Sequence, residues 1–421
     1  MKFIHAADLH IDSPLRGLDA HAGAPVDRLR GATRRAFVAL IDLALAQKVD
    51  FVILAGDIFD GNWPDFHTGL FFREQLVRLR QHDIAVVIAR GNHDAESQIT
   101  KQLPAVDGVH VFSTDAPETV IREDLGVALH GYSFPQRSVT HDVVPDFPRA
   151  IPGMFNIGVL HTSLTGREGH DDYAPTSVEM MATRGYDYFA LGHVHAREVV
   201  REAQPRIVFP GNLQGRKSNE TGPKGCELVT VLDGRIASAE FVPLDVVRWH
   251  RLELDVAGVA TLEDLARTFH RAVSQLTDGA ADRMHAIRVI VQGESPLNRV
   301  EAEQPGTVEA AIIAALQDME GPEIWLERVK TTLRTPIDRD QAALRTDAVG
   351  EVVALVNELM ADEDRLAGWI ARELGGLTLP PPLQELDPTA ADAQAMRAML
   401  NDAEATVLAH LGAIEADGEQ A

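Results

Sequence analysis

Phe51–Asp60, FVILAGDIFD, decides the fold. Its first five residues form an apolar run rich in large and β-branched side chains, which predicts a buried strand, and Gly56-Asp57 breaks the run at its carboxyl end. A carboxylate therefore stands at a strand tip. In open sheets flanked by helices, ligands bind outside the carboxyl ends of the strands. Asp57 is placed either for chemistry or as a turn and helix-cap residue, and this stretch alone leaves both readings open.

Four further fragments share the pattern, each setting ligand-type residues directly after an apolar run. They are Asp8-Leu9-His10, Gly91-Asn92-His93-Asp94 after VVIA, His161 after IGVL, and Gly192-His193-Val194-His195 after YFAL. A lone histidine after a strand is more often a packed or solvated side chain than a ligand. Five strand tips with the same kind of cargo are hard to obtain from packing needs.

The rest of the chain bounds the interpretation. Its 421 residues exceed one ordinary core and predict two or three domains. No apolar run approaches the ~20 residues of a membrane span, and MKFIHAADLH lacks a signal-peptide core, so a cytoplasmic protein with no membrane partner is expected. One cysteine, Cys226, excludes an internal disulfide and a multi-thiolate metal site, leaving oxygen and imidazole as donors. The net charge of −24 argues against broad charge-driven binding of nucleic acid. Its distribution is uneven: residues 1–250 carry a net of −7 and residues 251–421 a net of −17. A polyanionic substrate is still compatible with metals and a local basic strip in the front half.

Strands are predicted at Lys2–Ala6, Phe51–Leu54, Ala85–Ile88, Val109–Phe112, Val127–Leu129, Phe155–Leu160, Tyr188–Leu191, Ile207–Phe209 and Cys226–Leu232. Helical periodicity at Ala32–Gln47 and Gly69–Gln81 between the first of them gives α/β layers. The closely spaced later strands point to mixed sheets. Strands at Trp249–Val256 and Ala286–Val291, with helices at Leu262–Leu276 and Val308–Leu316, suggest a small α+β domain. Beyond it one apolar stripe runs from Val349 to Leu374, stopped by Gly375-Gly376 and Pro380–Pro382, and a second continues from Met396 to Ile414. The expected domains are 1–245, 246–336 and 337–421.

Chemistry gives the strand-tip set a reason. Two divalent cations ~3.5–4 Å apart clamp a phosphoryl centre, and such a pair needs a bridging carboxylate with neutral donors on each side. Asp57 suits the bridge. The ordered motifs D-x-H, GD-x-x-D, GNHD, H and GH-x-H resemble the calcineurin-like metallophosphoesterases. The segments at Asp8–Leu18, Gly166–Pro175, Gly185–His195 and Pro210–Gly225 are similar to the SbcD and YhaO group of DNA-repair nucleases, with the YhaO-like branch nearest.

That resemblance implies a four-layer sandwich of two mixed β-sheets flanked by helices, followed by a capping domain and a helical C-terminal region. It implies Asp8, His10, Asp57 and His195 around one metal, Asp57, Asn92, His161 and His193 around the other, and His93 as general acid. It also implies cleavage of DNA, or, as the alternative, of small-molecule or protein phosphoesters. Donors of oxygen and nitrogen without sulfur fit manganese best, with iron, zinc or magnesium as alternatives in vitro. Asp94 either orients His93 or caps the following helix, and Asp12 either touches a metal-bound water or ends its loop. Many of these nucleases carry histidine where this chain has Asp60, which removes a donor from substrate handling. Gly211-Asn212, Arg216-Lys217 and Lys224 are candidates for backbone contact with DNA. Residues 335–421 carry a net of −12 and two amphipathic stripes. Similar proteins use such a region to bind an SMC-like coiled-coil ATPase, and a homodimer through helices of the phosphoesterase domain is also implied.

Overall fold

A computed structural model describes residues 1–13, 25–60, 66–96, 105–165, 173–376, 380 and 387–411. Parts of two resemblance segments (14–18 and 166–172), Ile414 and the prolines at 381 and 382 lie outside the described residues. The chain divides into two compact units. The first comprises Met1–His250, Asp282–Ala286 and Glu323–Trp325, and the second Arg251–Ala281, Ile287–Pro322 and Leu326–Ala421.

The strands of the first unit are β1 (Lys2–Ala6), β2 (Phe51–Ala55), β3 (Ala85–Ala89), β4 (Val109–Val111), β5 (Glu118–Arg122), β6 (Val127–Gly131), β7 (Phe155–His161), β8 (Tyr188–Gly192), β9 (Glu198–Arg201), β10 (Arg206–Phe209), β11 (Gly225–Leu232) and β12 (Arg235–Pro243). They form two six-stranded sheets, ordered β12-β11-β1-β2-β3-β4 and β5-β6-β7-β8-β10-β9. In the first, β1 to β4 run parallel and β11 and β12 pair antiparallel at one edge. In the second, β6, β7, β8 and β10 are parallel between antiparallel β5 and β9.

The unbroken apolar run of β2 follows from burial on both faces. Val52 and Leu54 join Phe37, Leu40, Phe72 and Leu76 of helices Ala32–Gln47 and Phe66–Arg80 in one core. Phe51, Ile53 and Ala55 face the other way, onto Val159, Tyr188 and Ala190 of the second sheet. A third core covers that sheet's outer face, where Leu160, Phe189 and Phe209 meet Phe134, Phe147 and Met181. The two mixed sheets with helical cover are the expected four-layer arrangement. Four strands were not foreseen: β5, β9, β12 and, in the next sheet, Ile324–Arg334. They are edge strands of intermediate burial, without the apolar runs that mark doubly covered strands.

A three-stranded sheet follows, ordered β13 (Val247–Asp255), β14 (Met284–Glu294) and β15 (Ile324–Arg334). In the second unit Leu265, Phe269 and Val273 form the buried stripe of helix Leu262–Thr277. The stripe from Val349 to Leu374 is two helices rather than one, Ala348–Met360 and Glu363–Leu374. Asp362 makes the break: its carboxylate accepts from the N–H groups of Asp364 and Arg365 at 3.0 and 3.2 Å, an N-cap that periodicity does not reveal. Both helices pack with Ala393–His410 through Val356, Leu359, Leu366, Ile370 and Leu400.

Candidate metal centre

All seven candidate donor residues sit at carboxyl ends of the central parallel strands. Asp8 and His10 follow β1, Asp57 follows β2, Asn92 follows β3 and opens the short helix Asn92–Glu96, His161 ends β7, and His193 and His195 follow β8. Four of them occupy left-handed backbone that costs a non-glycine residue ~1–3 kcal/mol: Asp8 (φ 52°), His10 (44°), Asp57 (53°) and His193 (103°). The glycines that precede the donors have a steric purpose. A Cβ on Gly56, Gly91 or Gly192 would strike the His161 ring, and on Gly192 also the carbonyl of Ala55.

Three groups of donor atoms result, the atoms of each within 4.8 Å of one another: two made of expected donors, Asp8 with His10 and His195, and Asp57 with His161 and His193, and a third of His10 with Asp60 and His93. Asp57 Oδ2 lies 3.4 Å from His161 Nε2 and 3.9 Å from His10 Nε2, so one carboxylate oxygen faces both groups of expected donors. Asn92 joins the second, its Oδ1 3.0 Å from His161 Nε2. The backbone N–H of His193 donates to both oxygens of Asp8 at 3.1 and 3.0 Å, and that of His93 to Asp57 Oδ1 at 3.0 Å.

The far nitrogens of two imidazoles fix their tautomers. His161 Nδ1–H donates to the Ala55 carbonyl at 3.0 Å, and His195 Nδ1–H to the Glu220 carboxylate at 2.9 Å. Their Nε2 lone pairs therefore point inward. His161 Nε2 meets the oxygens of Asn92 and Asp57, and His195 Nε2 lies 3.1 Å from His10 Nε2. Acceptors crowded on acceptors in a buried site call for positive charge. Burial opposes protonation of His161, yet the Asp57 carboxylate pushes its pKa up to about 9. Burial likewise disfavours charge on Asp57, but His161 and His10 hold it well below the usual carboxylate range. The site competes for cations, and its oxygen and nitrogen donors fit a pair of divalent metal ions.

His93 stands at the rim of the site, its ring centroid 5.2 Å from that of His10 and its side chain 35% exposed. Its Nδ1 is 3.1 Å from Asp60 Oδ1, and that hydrogen bond raises its pKa. His10 and His93 in turn hold the Asp60 carboxyl well below the usual range. Ser13 Oγ donates to Asp60 at 2.7 Å, and the Arg216 guanidinium lies 3.7 Å away. Asp60, read from sequence as the loss of a donor, is thus the partner of His93.

Asp94 does not touch His93. Its carboxylate accepts from the N–H groups of Ile58 (3.1 Å), Phe59 (3.0 Å) and Gly91 (3.1 Å), tying two strand-tip loops together, and burial and Asp57 push its pKa up to about 6. Asp12 turns to Arg34 Nε at 2.7 Å and to Thr68. Two candidates for DNA contact are interior: Asn212 is buried, and buried Lys224 donates to the His195 carbonyl at 2.8 Å. Sequence reading missed Glu220, whose one signal is an acid inside a Gly-rich basic loop.

Fold and site together define a calcineurin-like metallophosphoesterase, a phosphoester hydrolase of a family that uses divalent metal ions. Residues 1–197 match the calcineurin-like phosphoesterase family and residues 249–334 the middle domain of the metallophosphoesterase YhaO. The chain is 35% identical over 332 residues to the "Uncharacterized metallophosphoesterase YhaO" of Bacillus subtilis, covering 77% of this chain and 80% of that one. It belongs to this family, within the calcineurin-like metallophosphoesterases. More distant similarity links it to the "DNA double-strand break repair protein Mre11" of Aeropyrum pernix, 24% identical over 318 residues, 71% of this chain and 75% of that one. A subunit of the nuclease SbcCD from Rhodobacter capsulatus is 33% identical over 135 residues, 31% of this chain and 27% of that one.

Proposed function

We propose that this chain is a two-metal phosphodiesterase that cleaves DNA, working as the nuclease subunit of a complex with an SMC-like coiled-coil ATPase. The observation that carries the two-metal reading is Asp57 Oδ2 standing between His10 and His161. Asp8, His10, Asp57 and His195 hold one ion; Asp57, Asn92, His161 and His193 hold the other. Bound ions, manganese by the donor set, supply an activated water and stabilise charge on the phosphoryl oxygens. His93, oriented by Asp60 and open to solvent, gives a proton to the leaving oxygen.

DNA as substrate is supported by the names of the distant relatives and by a strip of charge. The second unit holds thirteen Lys and Arg, nine of them ion-paired. Arg271, Arg328, Lys330 and Arg334 have no carboxylate partner among the described residues, and the last three are exposed at alternate positions of edge strand β15. Alternate residues of a strand share a face, so the three cations form a line suited to a run of phosphates.

Helix Ala393–His410 supports the ATPase assignment. Met399, Ala403, Val407 and Leu411, at four-residue spacing, leave an apolar stripe exposed, suited to a groove or a partner helix. Phe66 and Leu70, 49% and 56% exposed on helix Phe66–Arg80, suit a second copy of the chain.

The test is incubation with manganese, single-stranded and duplex DNA, and bis-nitrophenyl phosphate. Cleavage of DNA is expected. Turnover of the small diester with no DNA cleavage, with or without the ATPase, would replace this reading by an enzyme for small-molecule or protein phosphoesters.

A further inference from the structure

Glu220 is 6% exposed, beside the donor set rather than in it. Its Oε1 accepts from His195 Nδ1 at 2.9 Å, and its Oε2 from Asn212 Nδ2 at 2.9 Å and from the Arg216 backbone N–H at 2.7 Å. The Arg216 guanidinium lies 3.4 Å from Oε1. The same loop grips His195 from its other end: Lys224 Nζ and the N–H of Asn212 donate to the His195 carbonyl at 2.8 and 3.2 Å. One loop therefore fixes both the backbone and the ring of a single donor.

The two braced imidazoles are not braced alike. Behind His161 stands the neutral carbonyl of Ala55; behind His195 stands a carboxylate. A carboxylate on the far nitrogen makes the inward nitrogen a better electron donor and adds negative charge next to the cation. The four donors on Glu220 leave it no freedom to turn away.

We propose that Glu220 is the positioning residue for the metal held by Asp8, His10, Asp57 and His195, and that it makes this the tighter of the two metal positions. The proposal rests on the two-metal reading above. An uncharged substitute of the same size is the sharp probe. In Glu220→Gln the side chain has one oxygen for four incoming donors, so either amide orientation sets its NH2 against an N–H.

Chelator-stripped protein is titrated with manganese, with bound equivalents counted by elemental analysis and affinities read by calorimetry. Wild type should take two equivalents in two phases. Glu220→Gln should weaken the tighter phase 10- to 100-fold, the range for loss of a metal ligand's outer partner. The weaker phase should barely move, even as the mismatched buried amide lowers the melting temperature of the metal-free protein. Lys224→Met, which loosens the grip on the His195 carbonyl but keeps the carboxylate on the ring, should retain the tighter phase.

Unchanged isotherms in Glu220→Gln, or both phases weakening together, would overturn the role of Glu220 and leave the metal centre standing. Should Glu220→Gln not fold, loss of the tighter phase in Lys224→Met would overturn it equally. Wild-type protein that takes up no manganese would remove both readings.

Discussion

His93 and Asp57 differ in what they should lose. His93 is not among the expected metal donors, so His93→Ala should cut turnover of bis-nitrophenyl phosphate by ~10²–10⁴, the usual worth of a general acid, with metal content intact. Asp57→Asn should lose turnover and metal together, because Asp57 faces both groups of expected donors. Metal analysis of the two purified variants separates them. Gly192→Ala tests the packing beneath: its Cβ would meet the Ala55 carbonyl and the His161 ring, and a misfit of that kind costs ~1–3 kcal/mol. A lower melting temperature and loss of metal are expected, and an unchanged metal content would show that the cradle yields. The convergence of the candidate donors was legible because each directly follows an apolar run. What Asp60 and Glu220 do was not legible: one meets His93 and the other His195 across separate loops, and no local pattern encodes those encounters.

Between the sheets, β1 and β8 are joined by a buried polar bridge whose pH response can be worked out. His5 lies 3.0 Å from the Tyr188 hydroxyl and 3.0 Å from the Leu191 carbonyl. The carbonyl must accept, so His5 Nε2–H donates to it, and in the neutral ring Nδ1 accepts from the Tyr188 hydroxyl. Burial accordingly drives the His5 pKa down to about 3, against a slight upward pull from the Leu191 carbonyl. In the unfolded chain it is ~6.5. Between those values the unfolded state binds the extra proton, so this contribution is complete above the unfolded pKa and is lost as pH falls, by ~1.4 kcal/mol per unit. Metal-free His5→Gln should be less stable at neutral pH by ~1–3 kcal/mol and lose stability less steeply on acidification, as measured by urea unfolding. An equal slope in both proteins would remove His5 from the acid response. Strand β15 offers a second test. Replacing Arg328, Lys330 and Arg334 by Ala should lower the slope of log K against log salt for DNA binding by ~2–3, with hydrolysis of the small diester unchanged. Legibility at this scale followed burial. Strands covered on both faces were readable as apolar runs, whereas edge strands such as β15 and β12, half-exposed and polar, were not.

Across the whole chain, charge and apolar surface divide the work. Residues 335–421 carry 5 Lys and Arg against 17 Asp and Glu, which makes this region a poor surface for DNA and a good one for a partner that tolerates acid. Its buried residues already close a core through Leu366, Ile370 and Leu400, so the exposed Met399, Val407 and Leu411 are not needed to hold it together. Removing their apolar character is therefore a cleaner probe of the partner than deleting the helices. Met399→Glu combined with Val407→Glu should abolish co-purification with the coiled-coil ATPase while leaving helicity, metal content and hydrolysis of bis-nitrophenyl phosphate at wild-type levels. Unchanged co-purification would move the partner surface elsewhere, and loss of helicity would show that the stripe stabilises this chain itself. With folding intact and the ATPase lost, DNA cleavage by the isolated variant then reports whether the proposed nuclease activity depends on the proposed partner.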